Sequence, residues 1–433
     1  MMNWYYYIAL VAIISQLFFL VAMTMNYHFA LGKYRKKRSW TRVRVVLIVP
    51  CKGLDPNFQK NIVSFFNQDY KDYLLWFVVA EKSDPAYDVL CKLKQQLSPT
   101  SEAQDVQVMV AGAVTPPKKP DNARPSEQTS NAVAQVQACS QKIHNLLYCY
   151  EKIGGDIDVL AFADSDICVR SDWLKHLVWP LRKSKNGAAS GYRWFVPKKN
   201  NLASLALSAM NAKIAQFLGN SHFNQAWGGS MAIRVEVFRK VGLDKIWPKA
   251  LSDDYSLTYA VKKARLNVTF VPACLVASYE STTWPGLFEF GRRQFLITRV
   301  SRPWTWLFGL GSSLYAVLGL WAGAALALYA ATIGDKNLPL FVTVPIAFFL
   351  CQLTRAILRQ KMAGKLLKYE QQTTPSEQRA IRAACAADIL GFWLWSLMLL
   401  FLIISSAFGR TICWRGIRYK LLGPDETIVV GPK

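Results

Sequence analysis

Residues 159–166 read Val159-Leu160-Ala161-Phe162-Ala163-Asp164-Ser165-Asp166, an apolar run that leads directly into two carboxylates. An uninterrupted apolar run of this length is typical of a strand buried in a parallel sheet. Catalytic groups of open α/β sheets gather at the carboxyl ends of the strands, where Asp164 and Asp166 stand. Carboxylates one residue apart can both approach Mg²⁺ or Mn²⁺, which needs few protein ligands when it also binds a diphosphate. A simple polar turn would use the same residues, so the motif alone leaves both interpretations open.

Similar apolar runs occur earlier in the chain, at 43–49, 74–80 and 106–111, and they alternate with helical stretches. This alternation predicts that residues 33–302 form an α/β domain with buried parallel strands. The segment 112–131 is expected to be a surface loop. Four prolines stand among its polar residues, namely Pro116, Pro117, Pro120 and Pro125.

The N-terminal segment 1–32 contains no Asp, Glu, Lys or Arg, and Trp4–Met25 is apolar enough to span a bilayer. The basic start and the small-residue cleavage site of a signal peptide are both missing, so we expect residues 1–32 to be a retained transmembrane anchor. Basic residues follow it closely, namely Lys33, Arg35, Lys36, Lys37, Arg38, Arg42 and Arg44. The positive-inside rule therefore places the domain after the anchor in the cytosol.

Residues 303–409 contain three more uncharged stretches, at 303–332, 338–354 and 389–409, which predict a C-terminal membrane region. A basic segment between the last two stretches and a basic tail at 410–433 give conflicting topology signals. Three simple crossings would place the tail outside, whereas a re-entrant or interfacial stretch would keep it in the cytosol. We favour the cytosolic tail.

Residues 282–302 join the α/β domain to this region and mix aromatic side chains with arginines. The members are Trp284, Phe288, Phe290, Phe295, Arg292, Arg293, Arg299 and Arg302. Such a mixture suits a helix that lies in the lipid headgroup layer and ends the cytosolic domain. The alternative is a helix packed on the catalytic domain with a solvated basic face.

The formal net charge of +24 suits a nucleic acid, an anionic membrane surface or an anionic substrate. Nucleic acid is disfavoured because many basic residues flank the apolar runs, where they set topology and attract acidic headgroups. A phosphate-bearing substrate would use the remainder. The nine cysteines show neither a CxxC pair nor zinc-ligand spacing, so we expect reduced cysteines that serve packing.

Further polar residues stand at the ends of predicted strands and at the start of a helix. Lys52 lies in the turn after the first strand, and Asp84 follows the second. Asp253 and Asp254 begin a helical pattern, where acidic residues are ordinary capping groups. The alternative is a general base, since transfer of a sugar to a hydroxyl requires removal of the hydroxyl proton. Together with the strand-end carboxylates, their order indicates a nucleotide-sugar site.

The chain resembles the ceramide glucosyltransferase family in a series of short motifs that occur in the same order. They are Pro50-Cys51-Lys52-Gly53-Leu54-Asp55-Pro56-Asn57, Phe65-Phe66 to Asp69-Tyr70, Asp84-Pro85-Ala86, Lys142-Ile143-His144-Asn145-Leu146, Asp164-Ser165, Trp227-Gly228-Gly229-Ser230-Met231, Val237-Phe238 to Gly242, Asp253-Asp254-Tyr255 and Trp414-Arg415-Gly416-Ile417-Arg418-Tyr419. The resemblance runs from about residue 43 to 300 and resumes in the tail. It implies a membrane-anchored enzyme with a GT-A-type, Rossmann-like catalytic domain and a cytosolic active site, followed by several transmembrane helices.

Carried over by position, the resemblance implies that Asp84 and Asp164 help to bind a UDP-sugar donor. Asp166 would be the main ligand of Mg²⁺ or Mn²⁺, with Asp164 beside it. Asp254 would be the general base of a single, inverting displacement. Lys52, in the matched opening motif, is assigned to the same donor site.

The chain departs from the family at the [QR]-x-x-R-W motif that ends the catalytic domain. The equivalent stretch reads Gly291-Arg292-Arg293-Gln294-Phe295. Arg292 or Arg293 is expected to supply the displaced positive charge to the leaving diphosphate. Phe295 keeps an aromatic residue at the Trp position, so the acceptor stays open among ceramide, diacylglycerol, a sterol and a hopanoid.

The leading hypothesis is a non-processive transferase that moves a hexose, with glucose favoured, from a UDP-sugar to a membrane lipid hydroxyl. A processive polysaccharide synthase is the alternative within the same enzyme class, and it would be expected to keep the Trp motif and more spanning helices. A catalytically silent membrane scaffold is the alternative from another class, against which the retained acidic residues argue. His144 and His222 are expected to be structural.

Overall fold

The computed structural model describes residues 2–36, 38, 43–55, 57–114, 139–367, 375–414 and 416–432. Its α-helices are α1 (Met2–Tyr34), α2 (Phe58–Phe66), α3 (Pro85–Leu97), α4 (Gln141–Tyr150), α5 (Trp173–Val178), α6 (Leu202–Ala215), α7 (Val235–Lys240), α8 (Leu243–Ile246), α9 (Asp253–Lys263), α10 (Trp284–Ser301), α11 (Pro303–Val317), α12 (Gly323–Thr332), α13 (Leu338–Leu366) and α14 (Pro375–Ser405). Its strands are β1 (Val45–Pro50), β2 (Tyr73–Val79), β3 (Asp105–Val110), β4 (Val159–Ala163), β5 (Asn186–Pro197), β6 (Ser230–Arg234), β7 (Asn267–Glu280), β8 (Thr411–Trp414), β9 (Ile417–Gly423) and β10 (Glu426–Pro432). The predicted proline-rich loop falls largely on 115–138, outside the described residues, as do Lys37, Arg42, Pro56 and Arg415.

Seven strands form a mixed sheet in the order β3-β2-β1-β4-β6-β5-β7. The first four are parallel neighbours, β6 is antiparallel to both β4 and β5, and β7 pairs in parallel with β5. All the residues of β1 and β4 are buried, as their uninterrupted apolar runs predict. Because β1, β2 and β4 point the same way, their carboxyl ends meet at one edge of the sheet.

Helices cover both faces of this sheet. One face packs on α2, α3 and α5, with Trp173 fully buried, and the other packs on α4 and α7–α9, with Trp247 fully buried. Truncating either tryptophan to alanine would cost about 3–5 kcal/mol, because a buried aromatic side chain leaves a cavity that the surroundings fill only in part. The α/β, Rossmann-like fold predicted from the sequence is confirmed.

Four helical segments of the described residues are long and apolar enough to cross a membrane, at Tyr5–Tyr34, Pro303–Thr332, Leu338–Leu366 and Pro375–Ser405. The second consists of α11 and α12 joined by a π-helical turn over Leu318–Ala322. One N-terminal and several C-terminal apolar helices were expected, and they are present.

The helices α1 and α13 run parallel, and α11 runs antiparallel to both. The rings of Tyr5 and Phe341 are 4.6 Å apart at one end of the α1–α13 pair, and Lys365 Nζ donates to Tyr27 Oη at 3.2 Å at the other. Between α1 and α11, Tyr315 Oη donates to the carbonyl of Ala12 at 2.5 Å. These contacts place α1, α11 and α13 side by side over a common length, and their directions alternate along the chain.

The C-terminal tail folds back onto the α/β domain. Strands β8, β9 and β10 form an antiparallel sheet whose Tyr419, Leu421 and Val429 are buried against Leu251 and Leu296 of the domain. Domain and tail therefore lie on the same side of any membrane that the long helices enter. Three simple crossings between residues 302 and 410 would separate the tail from the domain, whereas the two are packed together in this structure.

The helix α14 contacts the α/β domain at both of its ends. Near its start, Ala380 is buried in one cluster with Trp194 of β5. Near its end, Leu402 is buried with Leu287 of α10, and the carbonyl of Ser405 accepts a hydrogen bond from Arg292 Nε at 3.2 Å. A helix whose two ends both contact the same domain runs along that domain.

Candidate active site

The turn after β4 is tied to the loop after β1. Ser165 Oγ donates to Asp55 Oδ2 at 2.8 Å, and buried Asn61 donates from Nδ2 to the carbonyl of Ser165 at 3.1 Å. The backbone N–H of Asp164 donates to the carbonyl of Gly229 at 3.3 Å, just before β6. The acidic turn is thus fixed from both neighbouring strands, which makes it a rigid platform rather than a loose polar turn.

Asp84 shapes the loop that carries Lys52. It is the N-cap residue of α3, and its Oδ1 accepts hydrogen bonds from the N–H groups of Ala86 at 2.9 Å and of Gly53 at 2.8 Å. Gly53 has φ of +66°, a conformation that glycine adopts without strain. Lys52 is exposed in this loop. The structure therefore brings Lys52 and Asp84 together at the edge of the sheet where β4 ends.

Lys142, at the start of α4, joins the two acidic motifs. Its Nζ lies 2.8 Å from Asp164 Oδ1 and 3.0 Å from Asp253 Oδ2. Burial opposes the charge of this lysine, but the two carboxylates outweigh it and raise the pKa of Lys142 above its ordinary value. The sequence placed Lys142 within a matched motif but assigned it no role, because the signal for a bridging lysine lies in the pairing of distant segments.

Gly228 allows the acid pair of α9 to approach β4. A Cβ atom at this position would meet Asp253 Oδ2 at 2.4 Å and Lys142 Nζ at 2.6 Å, so any side chain would displace the ion pair. The N–H of Gly228 also donates to Asp254 Oδ2 at 3.2 Å. The Trp227–Met231 motif therefore positions both acids of α9.

The two neighbouring acids of α9 have different environments. Asp253 is 3% exposed and is held by Lys142. Asp254 is only half-buried, and it accepts hydrogen bonds from Gly228, from Ser252 Oγ and from the N–H of Tyr255. Asp254 is thus the acid of the pair that a substrate can reach, and its orientation is fixed by three donors.

Asp166 carries a buried oxygen, Oδ1, that finds no hydrogen-bond partner among the described residues. Burial and the nearby charge of Asp164 raise the pKa of Asp166 to about 6, against the opposing charge of Arg193. No group of three or more His, Cys, Asp or Glu side chains within the described ranges is arranged to hold a metal ion. Two carboxylates with an unsatisfied buried oxygen nevertheless fit a divalent cation that completes its coordination with phosphate oxygens.

Arg193 of β5 is a site residue that the sequence did not reveal. Its guanidinium carbon lies 4.5 Å from the ring centre of Phe195, 5.7 Å from that of Trp227 and 5.6 Å from that of Phe290. Contacts between arginine and aromatic faces hold the charge in place without neutralising it. An arginine among aromatics was visible at 192–195, but only the sheet places it near Asp166.

The two arginines predicted at the donor site lie in different places. Arg292 donates from Nε to the carbonyl of Ser405 and from Nη2 to that of Phe408 at 2.8 Å, at the end of α14. Arg293 has its guanidinium 5.5 Å from the ring centre of Phe290, the same ring that Arg193 contacts. Arg293 thus shares an aromatic neighbour with Arg193 and also donates from Nη1 to the carbonyl of Cys413 at 3.5 Å, whereas Arg292 is engaged at the end of α14.

Each of the two histidines that were expected to be structural takes part in a contact with a backbone carbonyl group. His144 has its Nε2 3.0 Å from the carbonyl of Ala111. The carbonyl of His222 accepts a hydrogen bond from Lys262 at 2.8 Å, at the far end of α9 from Asp254.

The family model for glycosyl transferase family 21 matches residues 5–109 and 128–427 of the chain. The chain belongs to glycosyl transferase family 21. Its reaction class is therefore glycosyl transfer.

Two solved structures are similar to this family 21 glycosyltransferase. The mannosyltransferase PcManGT from Pyrobaculum calidifontis, in complex with GDP-Man and Mn²⁺, is 14% identical, with a TM-score of 0.42, and the match covers 93% of this chain and 97% of that one. GalNAc-T7 with UDP, GalNAc and Mn²⁺ is 12% identical, with a TM-score of 0.35, and the match covers 59% of this chain and 48% of that one.

Proposed function

We propose that this family 21 glycosyltransferase transfers a single hexose, glucose in the first instance, from a UDP-sugar to the hydroxyl of a membrane lipid such as ceramide. One observation carries the proposal. Lys142 Nζ contacts both Asp164 Oδ1 and Asp253 Oδ2, so the strand-end acids and the acids of α9 belong to one site. A donor-binding acid and a proton-accepting acid then lie on two sides of the position where the sugar is transferred from UDP to the acceptor hydroxyl.

The donor occupies the edge of the sheet at the ends of β1, β2 and β4. Asp84 holds the backbone of the Lys52 loop, and the exposed ammonium group of Lys52 can contact a diphosphate there. Asp164 and Asp166 would hold Mg²⁺ or Mn²⁺ against the diphosphate, where the ion neutralises negative charge on the phosphates. The buried, unpartnered oxygen of Asp166 supports this assignment.

Asp254 acts as the general base. As the acceptor oxygen attacks the anomeric carbon, its proton passes to a carboxylate oxygen of Asp254. The bond between the anomeric carbon and the phosphate oxygen breaks, and UDP leaves with that electron pair. Attack from the face opposite the leaving group inverts the anomeric centre, so no covalent enzyme intermediate is needed.

Positive charge for the leaving diphosphate comes from arginines around Phe290. Arg193 stands within electrostatic range of Asp166, and Arg293 contacts the same phenylalanine ring. Fixed cations at the point where negative charge develops lower the barrier without reorganisation. The hydrogen bonds of Arg292 to carbonyls after α14 favour a supporting role, in which Arg292 keeps α10 and the end of α14 together.

The acceptor reaches the site from the membrane. The basic residues that follow α1 support a cytosolic catalytic domain, because the positive-inside rule favours basic segments on that side of the membrane. Because α14 returns to the domain, we place it along the membrane surface, where its exposed Leu390, Phe401 and Ile404 contact lipid. Helix α10, with half-exposed Trp284, then lies at the same level and brings Phe290 and Arg293 close to the headgroups.

The test is a transfer assay on membranes that contain the full chain, with radiolabelled UDP-sugars and with ceramide, diacylglycerol, sterol or hopanoid as acceptor. We expect one sugar per lipid from UDP-glucose, with loss of transfer in Asp254→Asn. A ladder of longer products would show a processive synthase instead. The protein would instead be a catalytically silent membrane scaffold if no UDP-sugar labels lipid and calorimetry detects no UDP affinity with or without Mn²⁺.

A further inference from the structure

A cleft with basic walls lies on the far side of α9 from the acid pair. Its volume is about 340 Å³, and it is lined by Ser221, His222, Lys262, Arg265, Leu266, Asn267 and Val268. His222, Lys262 and Arg265 carry basic side chains, and none of the lining residues carries a carboxylate. A cleft of this composition selects an anion.

Lys262 meets neutral and positively charged groups in the part of the chain that the structure describes. Burial and the nearby positive charge of Arg302 lower the pKa of Lys262 to about 8. Lys262 donates to the carbonyl of His222 at 2.8 Å, which is a neutral partner. Among the described residues, no salt bridge is made by Lys262 or Arg265. An anion that entered the cleft could therefore contact Lys262 and Arg265 without displacing a carboxylate.

Arg265 occupies a backbone position that usually belongs to glycine. Helix α9 ends with Leu266 N–H donating to the carbonyl of Val261 at 3.1 Å and Arg265 N–H donating to that of Lys262 at 2.9 Å. In this end motif the residue after the C-cap is left-handed, and Arg265 has φ of 57°. A side chain is disfavoured there, so a strained arginine at the rim of a cleft points to a function for its guanidinium.

The position of Lys262 alone has an ordinary explanation. Basic residues in the last turn of a helix complement its dipole, and Lys262 lies in the last turn of α9. That explanation does not extend to Arg265, which lies beyond the helix in a conformation that favours glycine. It also does not account for three basic side chains around one cleft.

Exposed aromatic residues place the cleft at the level of the membrane surface. Phe223, next to His222, is 76% exposed and stacks on Phe308 of α11, with ring centres 6.0 Å apart. Trp304, at the start of the same apolar segment, is 83% exposed. Aromatic side chains of this kind mark the boundary between headgroups and hydrocarbon. The cleft therefore lies where α11 leaves the domain, within reach of lipid headgroups.

We propose that the cleft of His222, Lys262 and Arg265 binds the phosphate-bearing headgroup of an acidic phospholipid. The site is separate from the donor site, since it lies at the opposite end of α9 from Asp254. The bound headgroup orients the catalytic domain on the membrane, because Phe223 and Trp304 enter the bilayer beside it. This inference rests on the membrane placement in the proposed function, but not on the transfer reaction.

The experiment uses the full chain in detergent, with native mass spectrometry to count bound phosphatidylglycerol and phosphatidylcholine. The variants are Arg265→Gly, which relaxes the backbone and so keeps the fold, and Lys262→Gln. Lys240→Gln, at an exposed position of α7, is the matched control. We expect wild type to prefer phosphatidylglycerol, each cleft variant to bind it about fivefold to tenfold more weakly, and the control to match wild type.

Equal binding of the two lipids by wild type, or unchanged phosphatidylglycerol binding in both cleft variants, would overturn the proposal. Competition by inorganic phosphate at the same concentration as phosphatidylglycerol would also overturn it, since the ligand would then be a free phosphate. Thermal unfolding of each variant shows whether it is folded. Because the readout is lipid binding, loss of transfer activity with retained lipid selectivity would contradict the proposed function alone.

Discussion

Two buried ionic clusters in this protein differ in their balance of positive and negative charge. In the active site, one cation, Lys142, faces the carboxylates of Asp164 and Asp253. Between α13 and α14, Arg359 meets a single carboxylate, with Nε donating to Asp388 Oδ2 at 2.6 Å and Nη2 to Oδ1. The first cluster has negative charge in excess, whereas the second pairs one guanidinium with one carboxylate and has the positive charges of Lys213 and Arg355 nearby.

The difference shows which cluster is available to ligands. Gln360 Nε2 also donates to Asp388 Oδ2 at 2.7 Å, so the carboxylate of the helix pair is fully used by protein groups. The active-site cluster instead adjoins Asp166, whose Oδ1 has no hydrogen-bond partner in the part of the chain that the structure describes. The Arg359–Asp388 pair fastens two long helices, whereas the active-site cluster, which has negative charge in excess, attracts a cation and a substrate.

The largest expected effect is on the accessible acid of the active site. Asp254→Asn should lower the transfer rate about 10²–10⁴-fold, because the amide cannot accept the acceptor's proton. Affinity for the UDP-sugar should stay unchanged, as measured by calorimetry beside the radiolabel assay. Glu236→Gln, at an exposed position, is the control and should behave as wild type. An Asp254→Asn variant with the transfer rate of wild type would show that Asp254 is not the general base.

Breaking the Arg359–Asp388 pair should lower the stability of the fold and leave the transfer rate unchanged. Arg359→Met should destabilise the fold by about 3–5 kcal/mol, since it leaves Asp388 buried without a counter-charge. The double variant Arg359→Met/Asp388→Leu should recover most of that loss. Denaturant unfolding measures both, with exposed Lys361→Met as the control. A double variant as unstable as the single variant would contradict this explanation. The pair would then contribute more to stability than the mutual neutralisation of its two buried charges.

The corresponding single and double substitutions in the active-site cluster should affect the transfer rate as well as the stability. Lys142→Met should lower the transfer rate about 10²-fold, because Asp164 and the acids of α9 lose the group that aligns them. Lys142→Met/Asp253→Leu should regain stability but not transfer. Exposed Lys92→Met serves as the control for both measurements. Recovery of transfer in the double variant would mean that Lys142 only neutralises Asp253.

The partly exposed carboxylate of Asp172 provides the smallest expected effect and a calibration for the others. Burial raises the pKa of Asp172, but the hydrogen bond with His176 and the charge of Arg170 outweigh it and lower the pKa to about 2. A lowered folded-state pKa stabilises the fold above the unfolded value of about 4, and this stability is lost as pH falls towards 2.

Asp172→Asn should therefore be less stable than wild type by about 1 kcal/mol at pH 6, a figure reduced for solvent screening. The difference should shrink as the pH is lowered from 5 to 2.5. Denaturant unfolding across that range measures it, with exposed Asp105→Asn as the control. A difference that does not depend on pH would mean that Asp172 acts as a hydrogen-bond acceptor without regard to its charge.

Features that arise from neighbouring residues could be predicted from the amino-acid sequence. The apolar run at 159–163 predicted β4, because a strand buried on both faces needs nothing but apolar side chains. Asp253 and Asp254 were placed correctly at a helix start, and the uncharged runs predicted long apolar helices. These are local signals of periodicity and composition, which a chain carries whatever it later contacts.

The way in which those features combine depends on contacts between distant segments of the chain. Lys142 and Asp253 are far apart in the chain, and their pairing depends on Gly228 leaving room between them. The long apolar helices α13 and α14 take different paths, because the tail sheet and Arg292 bring the end of α14 back to the domain. The physical reason is that the role of a charge depends on what faces it in space. That is set by packing between distant segments, which no local pattern records.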